Sequence, residues 1–162
     1  MGADAIAAEI DPAQPSRVQV AAARRFIQQL HDCVAAGESI VVESTLSGLT
    51  MRKGITEAKS KGYDVSIAFL FIDSADACVA RVVERVRKGG HHVPEADIRR
   101  RFPRALADFW RVYQELADKR VLLYNGETAI QHVAGGSRSQ MTIRDPTTYA
   151  NFLKLVESSD NG

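Results

Sequence analysis

Apolar residues recur along this chain in two alternating rhythms: at every third or fourth position, and in short unbroken runs. That alternation predicts an α/β sheet protein. Val18, Ala22, Phe26, Leu30 and Val34 repeat at every fourth position and predict one buried stripe on a helix. Ser16 with Gln19 reads as the capping box that opens it, and Gly37 as its stop. Ile40-Val41-Val42 is a β-branched run of the kind shown by a fully covered parallel strand. A helix over 49–60, closed by Gly62, comes next. Residues 65–72 form the strongest strand signal, too apolar for a half-exposed position. A helix over 75–88 is expected to bury Cys78, Val79, Val82, Val83 and Val86. Pro94 opens a long helical stretch with Ile98, Phe102, Ala105, Phe109, Tyr113 and Leu116 on one stripe, in which Pro103 predicts a kink or a restart. Residues 120–124 make a third strand. Runs 129–134 and 140–144 pair as a C-terminal hairpin about a Gly135-Gly136-Ser137 turn. Asp145 and Pro146 then open a last helix burying Tyr149, Phe152, Leu153 and Val156.

A chain of 162 residues with these elements is expected to form one domain over 1–157, ending in a frayed tail, 158–162. Twenty-one Lys and Arg against 20 Asp and Glu give a net charge of +1, so whole-molecule charge points to neither nucleic acid nor membrane. No apolar run approaches the roughly 20 residues of a membrane span, and the first residues lack a signal peptide's basic and apolar regions. Cys33 and Cys78 both sit inside apolar helical patterns without metal-ligand spacing, which reads as reduced thiols in a cytoplasmic protein.

Three places carry candidate chemistry. Glu43-Ser44-Thr45 ends the run at Ile40, and ligands in open α/β sheets bind beyond the carboxyl ends of strands. A carboxylate followed by two hydroxyls there can grip a polyol, or serve only as a loop acid with helix-capping neighbours. Residues 81–104 hold eight cations (Arg81, Arg85, Arg87, Lys88, Arg99, Arg100, Arg101 and Arg104) against three acids, a local +5 in a chain of +1. Two basic helical faces across a Gly89-Gly90 joint suit a lid that closes on phosphate. They also suit a solvated face or a nucleic-acid stripe, though no aromatic residue interleaves for stacking on single strands. Asp4 by itself is a terminal charge or a helix cap.

Asp4-Ala5-Ile6-Ala7, Glu43-Ser44-Thr45-Leu46-Ser47-Gly48, Lys61-Gly62-Tyr63-Asp64-Val65 and the block from Arg81 through Gly89-Gly90-His91-His92-Val93-Pro94-Glu95 to Phe102 together resemble the zeta-toxin-like P-loop kinases, in their bacterial branch. The resemblance implies a three-layer P-loop NTPase-like fold with a mostly parallel sheet and flanking helices. It implies transfer of the γ-phosphate of ATP, with Mg²⁺, to a small acceptor, which is a UDP-activated amino sugar in the toxins proper. Asp4 then matches the general base, Glu43 and Thr45 the acceptor-binding positions, and Arg85, Arg100, Arg101 and Arg104 the lid that reaches the ATP phosphates. It implies no metal-binding residue in this chain.

The departures from the family pattern bear on activity. A first strand and a loop GxxxxGK[ST] are expected about 30 residues before the base, and no such motif occurs in this sequence. Tyr124-Asn125-Gly126 stands where an Asp is expected. Losing four charge-assisted hydrogen bonds costs about 6–12 kcal/mol. The expectation is therefore an N-terminally truncated kinase domain, inactive alone. The alternatives are a non-catalytic module binding a phosphorylated ligand or nucleic acid, and a structural or antitoxin-like partner protein. A missing first strand also leaves an apolar sheet edge beside 40–42 or 120–124, so a homo-oligomer that hides it is expected.

Overall fold

The computed structural model describes residues 1–159. The chain divides into two compact units, residues 1–45 with 50–63, and residues 46–49 with 64 onward.

The first unit is helical: α1 (Ala3–Ile10), α2 (Gln19–Ala36) and α3 (Thr50–Ser60). The fourfold stripe is borne out, since Ala22, Phe26, Leu30 and Val34 are the buried face of α2. Ile6 and Ala7 from α1, and Met51 and Ala58 from α3, complete this small core. His31 Nδ1 lies 2.5 Å from Glu57, joining α2 to α3. The Lys61 ammonium, 3.2 Å from Glu57, holds that carboxyl below the usual range; partial burial opposes the shift and His31 reinforces it.

Two expectations are corrected here. Ser16 caps nothing: a 3₁₀ turn over Pro15–Val18 precedes α2, and neither has a side-chain cap. The entry is organised instead by Asp11, whose Oδ1 accepts from Ala13 N–H at 3.1 Å and Gln14 N–H at 2.9 Å. Nor does Ile40-Val41-Val42 join the sheet; Val41 is 86% exposed. A β-branched run marks fitness for a pleated surface, and it becomes a covered strand only where neighbours pack around it.

The second unit carries a four-stranded sheet in the order β1 (Ser66–Phe71), β2 (Lys119–Asn125), β3 (Ile130–Ser137), β4 (Met141–Ile143). The sheet is mixed, not mostly parallel: β1 and β2 run parallel, whereas β2–β3 and β3–β4 are antiparallel. Only four residues, 126–129, separate β2 from β3, too few for a parallel crossover. The helices are α4 (Ala75–Arg87), α5 (Glu95–Asp108), a π-turn over Phe109–Tyr113, α6 (Gln114–Leu116) and α7 (Pro146–Ser158).

Alternation along β1 turns Phe69 and Phe71 to the core, where Phe69 stacks on Phe109 with ring centroids 4.2 Å apart. Phe152 from α7 meets both rings edge-on and is fully buried. Asp145 caps α7 by accepting from Thr148 N–H at 3.0 Å, with Pro146 in the first turn, as expected.

Four further expectations change. Gly135 and Gly136 lie within β3, and the hairpin turns at 138–140. Pro103 neither breaks nor restarts α5; the helix changes geometry only at the π-turn. The buried side chains Ile98 and Leu106, either side of Pro103, keep that stretch packed. Helix α4 buries no side chain fully, and Val83 stays 46% exposed. Of the expected tail, Ser158 still belongs to α7, and residues 160–162 lie outside the described ones.

Cys33 and Cys78 are free and half-buried, and burial pushes both thiols up. Among the described residues no helix is long and apolar enough to cross a membrane.

Candidate functional site

In the first unit two backbone hydrogen bonds bring together segments that are 40 residues apart in sequence. The Met1 ammonium donates to Val41 O at 2.8 Å, and Glu43 N–H donates to Met1 O at 2.8 Å. Asp4 sits three residues on from Met1, in the first turn of α1, where the helix dipole favours a carboxylate. Its side chain is exposed, as are those of Glu43, Ser44 and Thr45. The chain thus places the candidate base and the candidate acceptor residues on two segments held edge to edge. Glu43 owes its place to Met1 and not to the end of a sheet strand.

The next loop, 46–49, belongs to the second unit. Leu46 has φ 51°, and Gly48 has φ 112°. Gly48 N–H donates to Asp108 Oδ2 at 2.7 Å, and the Tyr113 hydroxyl donates to Gly48 O at 2.5 Å.

The basic segment is less open than its sequence implies. Arg81 turns inward and donates to Asn125 O and Gly126 O, both at 2.7 Å. Helix α4 ends in a Schellman cap: Gly89, at φ 89°, donates to Val86 O, and Gly90 donates to Arg85 O at 2.9 Å. The expected loose glycine joint is therefore a hydrogen-bonded turn. The Arg85 stem folds over it so closely that a Cβ on Gly90 would lie 2.6 Å from Arg85 Cγ. The Arg85 guanidinium then donates to His91 O at 3.1 Å.

On α5, Arg99 pairs with Asp76 at 2.7 Å and Glu95 at 2.8 Å, and Arg100 with Asp97 at 2.8 Å. The Arg100 hydrogen bond, against some burial and with help from the Arg101 charge, holds the Asp97 carboxyl below the usual range. Arg101 is half-buried, and Arg104 is exposed with no ion pair among the described residues. So α5 presents two arginines already bound to acids, Arg99 and Arg100, and two, Arg101 and Arg104, better placed to meet an incoming anion.

Sequence reasoning missed the carboxyl ends of β1 and β2. There Arg81, Asn125, Gly126, Glu127, Thr128, Ala129 and Ile130 line an open cleft of about 510 Å³. Tyr124 donates its hydroxyl to Asp73 Oδ2 at 2.6 Å. That bond, then burial, raises the tyrosine above its ordinary range. The rule that drew notice to Glu43 applies equally to Asp73, an acid directly after an apolar strand.

Among the described residues, no group of three or more His, Cys, Asp and Glu is placed to hold a metal ion. The arginine donors suit phosphate oxygens; the carboxylates do not converge on a magnesium ion.

The family model described as Zeta toxin matches residues 2–134. A curated protein of Haemophilus influenzae (strain ATCC 51907 / DSM 11121 / KW20 / Rd), described as an uncharacterized protein, is 30% identical over 99 residues, covering 61% of this chain and 71% of that protein. No solved structure matches the chain.

Proposed function

The chain belongs to the zeta toxin family, and from that premise we propose that these residues supply the acceptor side and the phosphate-facing helices of a phosphoryl transfer from ATP to a nucleotide-linked amino sugar. Membership carries a kinase-like or ATPase-like activity with ATP dependence. The finer assignment rests on one observation: the paired hydrogen bonds between Met1 and the 41–43 segment, which set Asp4 and Glu43 on adjoining strips of chain.

In this reading Asp4 takes the proton from the acceptor hydroxyl as that oxygen attacks the γ-phosphorus. Glu43 accepts hydrogen bonds from sugar hydroxyls, and Thr45 adds a donor and an acceptor beside it. Arg101 and Arg104 face the phosphate oxygens, and Arg85 and Arg100 join by exchanging their present partners. ATP supplies the phosphoryl group: the bond from the γ-phosphorus to the β,γ-bridging oxygen breaks as the acceptor oxygen bonds, and ADP leaves. The donor set gives no position for magnesium, so no step is assigned to it. These residues hold no GxxxxGK[ST] segment, so the backbone cradle for the β- and γ-phosphates is not assigned to them, and the chain by itself is expected not to turn over ATP.

Calorimetric titration of the chain with UDP-N-acetylglucosamine tests the acceptor side. Binding that Glu43→Gln abolishes supports the reading. No binding, or binding indifferent to that change, removes it. Steep weakening of nucleic-acid binding with salt would instead favour a nucleic-acid module. The pairing of Arg81, Arg85, Arg99 and Arg100 within the protein argues against such a stripe.

A further inference from the structure

Helix α4 carries Val79, Val82, Val83 and Val86 at the i, i+3, i+4, i+7 spacing that puts side chains on one face. That face is only partly covered: none of the four is fully buried, and Val83 and Val86 stay 46% and 37% exposed. Thirteen helical residues make α4 about 20 Å long. Arg99 joins Asp76, in the first turn of α4, to Glu95, in the first turn of α5. The linker 88–94 must therefore run back along α4 to bring those two helix starts together. In doing so it sets Val93, with Ile98 of α5, opposite the valines across an apolar groove of about 250 Å³. Single apolar side chains on a surface are ordinary, whereas a contiguous apolar depression marks an interaction site.

The rim gives the chemistry of the occupant. Arg87, His92 and Glu95 complete the lining. Glu95 is already engaged by Arg99 at 2.8 Å. Arg87 and Lys88 share the single carboxylate of Glu84, at 3.7 and 3.2 Å, and both side chains remain mostly exposed. His92 is exposed as well. Two cations thus divide one acid beside the groove, so carboxylates on an occupant are attracted there and ammonium groups repelled. Nucleic acid would meet the cations but gain nothing from an aliphatic floor. A bilayer is disfavoured too, since α4 offers none of the Trp, Phe or Leu that anchor interfacial helices.

We propose that the groove between α4 and α5 docks an amphipathic helix of a partner protein. Aliphatic side chains of that helix at i, i+3 or i+4, and i+7 fill the valine face, and its flanking Asp and Glu side chains meet Arg87, Lys88 and His92. These residues take no part in the acceptor or phosphate contacts assigned above, so the docking surface stands independently of that reading.

The test uses the full chain and a synthetic, fluorescently labelled helical peptide of about 15 residues, with leucines at the i, i+3, i+4, i+7 positions and glutamates flanking them. A second peptide carries lysine at each glutamate position. Fluorescence anisotropy at low salt should show the glutamate peptide binding about tenfold or more tightly than the lysine one. Val83→Glu puts a carboxylate on the groove floor at a half-exposed position, and should weaken the glutamate peptide by about tenfold or more while the melting temperature holds. Val86→Gln, at the other exposed valine, carries the same direction of change should Val83→Glu fail to fold. Arg87→Glu should weaken the glutamate peptide about fivefold and strengthen the lysine one, with added salt shrinking both differences. No binding of the glutamate peptide, equal binding of the two peptides, or binding unmoved by both valine substitutions overturns the proposal. Tighter binding to phosphatidylserine vesicles or to duplex DNA, lost in Val83→Glu, gives the face to a membrane or a nucleic acid and overturns it equally.

Discussion

Tyr124 and Asp73 share a 2.6 Å hydrogen bond across the carboxyl ends of the two parallel strands. The bond needs the phenol protonated, which is why the tyrosine's pKa is raised. A group whose neutral form is favoured by folding stabilises the protein below its unfolded pKa, about 10 for tyrosine, and loses that contribution as pH climbs through the folded value. Tyr124→Phe should therefore be less stable than wild type by about 0.5–1.5 kcal/mol at pH 7, with the gap closing above pH 10. Urea denaturation at both pH values checks this, and an unchanged gap would refute it.

Arg81 is expected to be a strap and not a lid residue. Its two bonds to the Asn125 and Gly126 carbonyls join α4 to the end of β2. Arg81→Ala should cost about 1.5–3 kcal/mol, and Arg81→Lys should recover only part of it, since an ammonium lacks the planar fork. Denaturant midpoints at constant slope measure the effect.

Arg100 and Arg104, both exposed on α5, should separate by role. Arg104→Ala should leave stability within about 0.5 kcal/mol of wild type yet weaken binding of ATP or inorganic phosphate. Arg100→Ala should also release the Asp97 carboxyl toward its ordinary pKa. Because that pKa is depressed in the folded state, the stabilisation exists above the unfolded value and fades as acid takes pH down through the folded one. The Asp97 carboxylate followed by NMR titration reports the shift.

Joined downstream of a first strand and GxxxxGK[ST] loop from a relative, the chain should phosphorylate a UDP-linked amino sugar. Asp4→Asn in that fusion should lower turnover by roughly 10²–10⁴-fold with ATP affinity little changed. A fusion that turns over at the same rate with Asn at position 4 would leave Asp4 as a helix-terminus charge.

Strand β1 ends the sheet on one side, and its sequence, Ser66–Phe71, has no charge, proline or bulge to discourage pairing. Light scattering at micromolar concentration should show a dimer, and Ala68→Lys should shift it toward monomer. Neither expected position is a sheet edge: the 40–42 run lies outside the sheet, and the 120–124 run is covered on both sides, by β1 and β3.

Much of this was legible in the chain, and the failures share a cause. Periodicity reports which side of an element is apolar, and so it found the α2 stripe and the β1 core positions. It says nothing of what lies opposite, which is why Val83 and the 40–42 run were read as covered. Glycine pairs misled twice. Gly135-Gly136 looks like a turn, yet a Cβ on Gly136 would lie 2.1 Å from Gln140 O, so close backbone approach inside a strand explains it. Gly89-Gly90 looks loose and is a cap. At the candidate site, residue types were readable and pairing was not. No spacing rule announces that Arg81 will be spent on carbonyls, or that Asp108 and Tyr113 will both bond to Gly48.

The fold of Arg85 over Gly90 changes what that arginine can contribute to an anion. Its guanidinium already rests on the His91 carbonyl, so a phosphate that recruits it performs an exchange of acceptors. The free energy gained is the difference between a charged and a neutral acceptor, not the full strength of a new bond. Against that, the side-chain entropy an arginine gives up on ordering, about 2 kcal/mol, has been partly met in advance by the fold. Arg85 is thereby suited to telling doubly charged oxygens from weaker acceptors, and adds less to how tightly either is held.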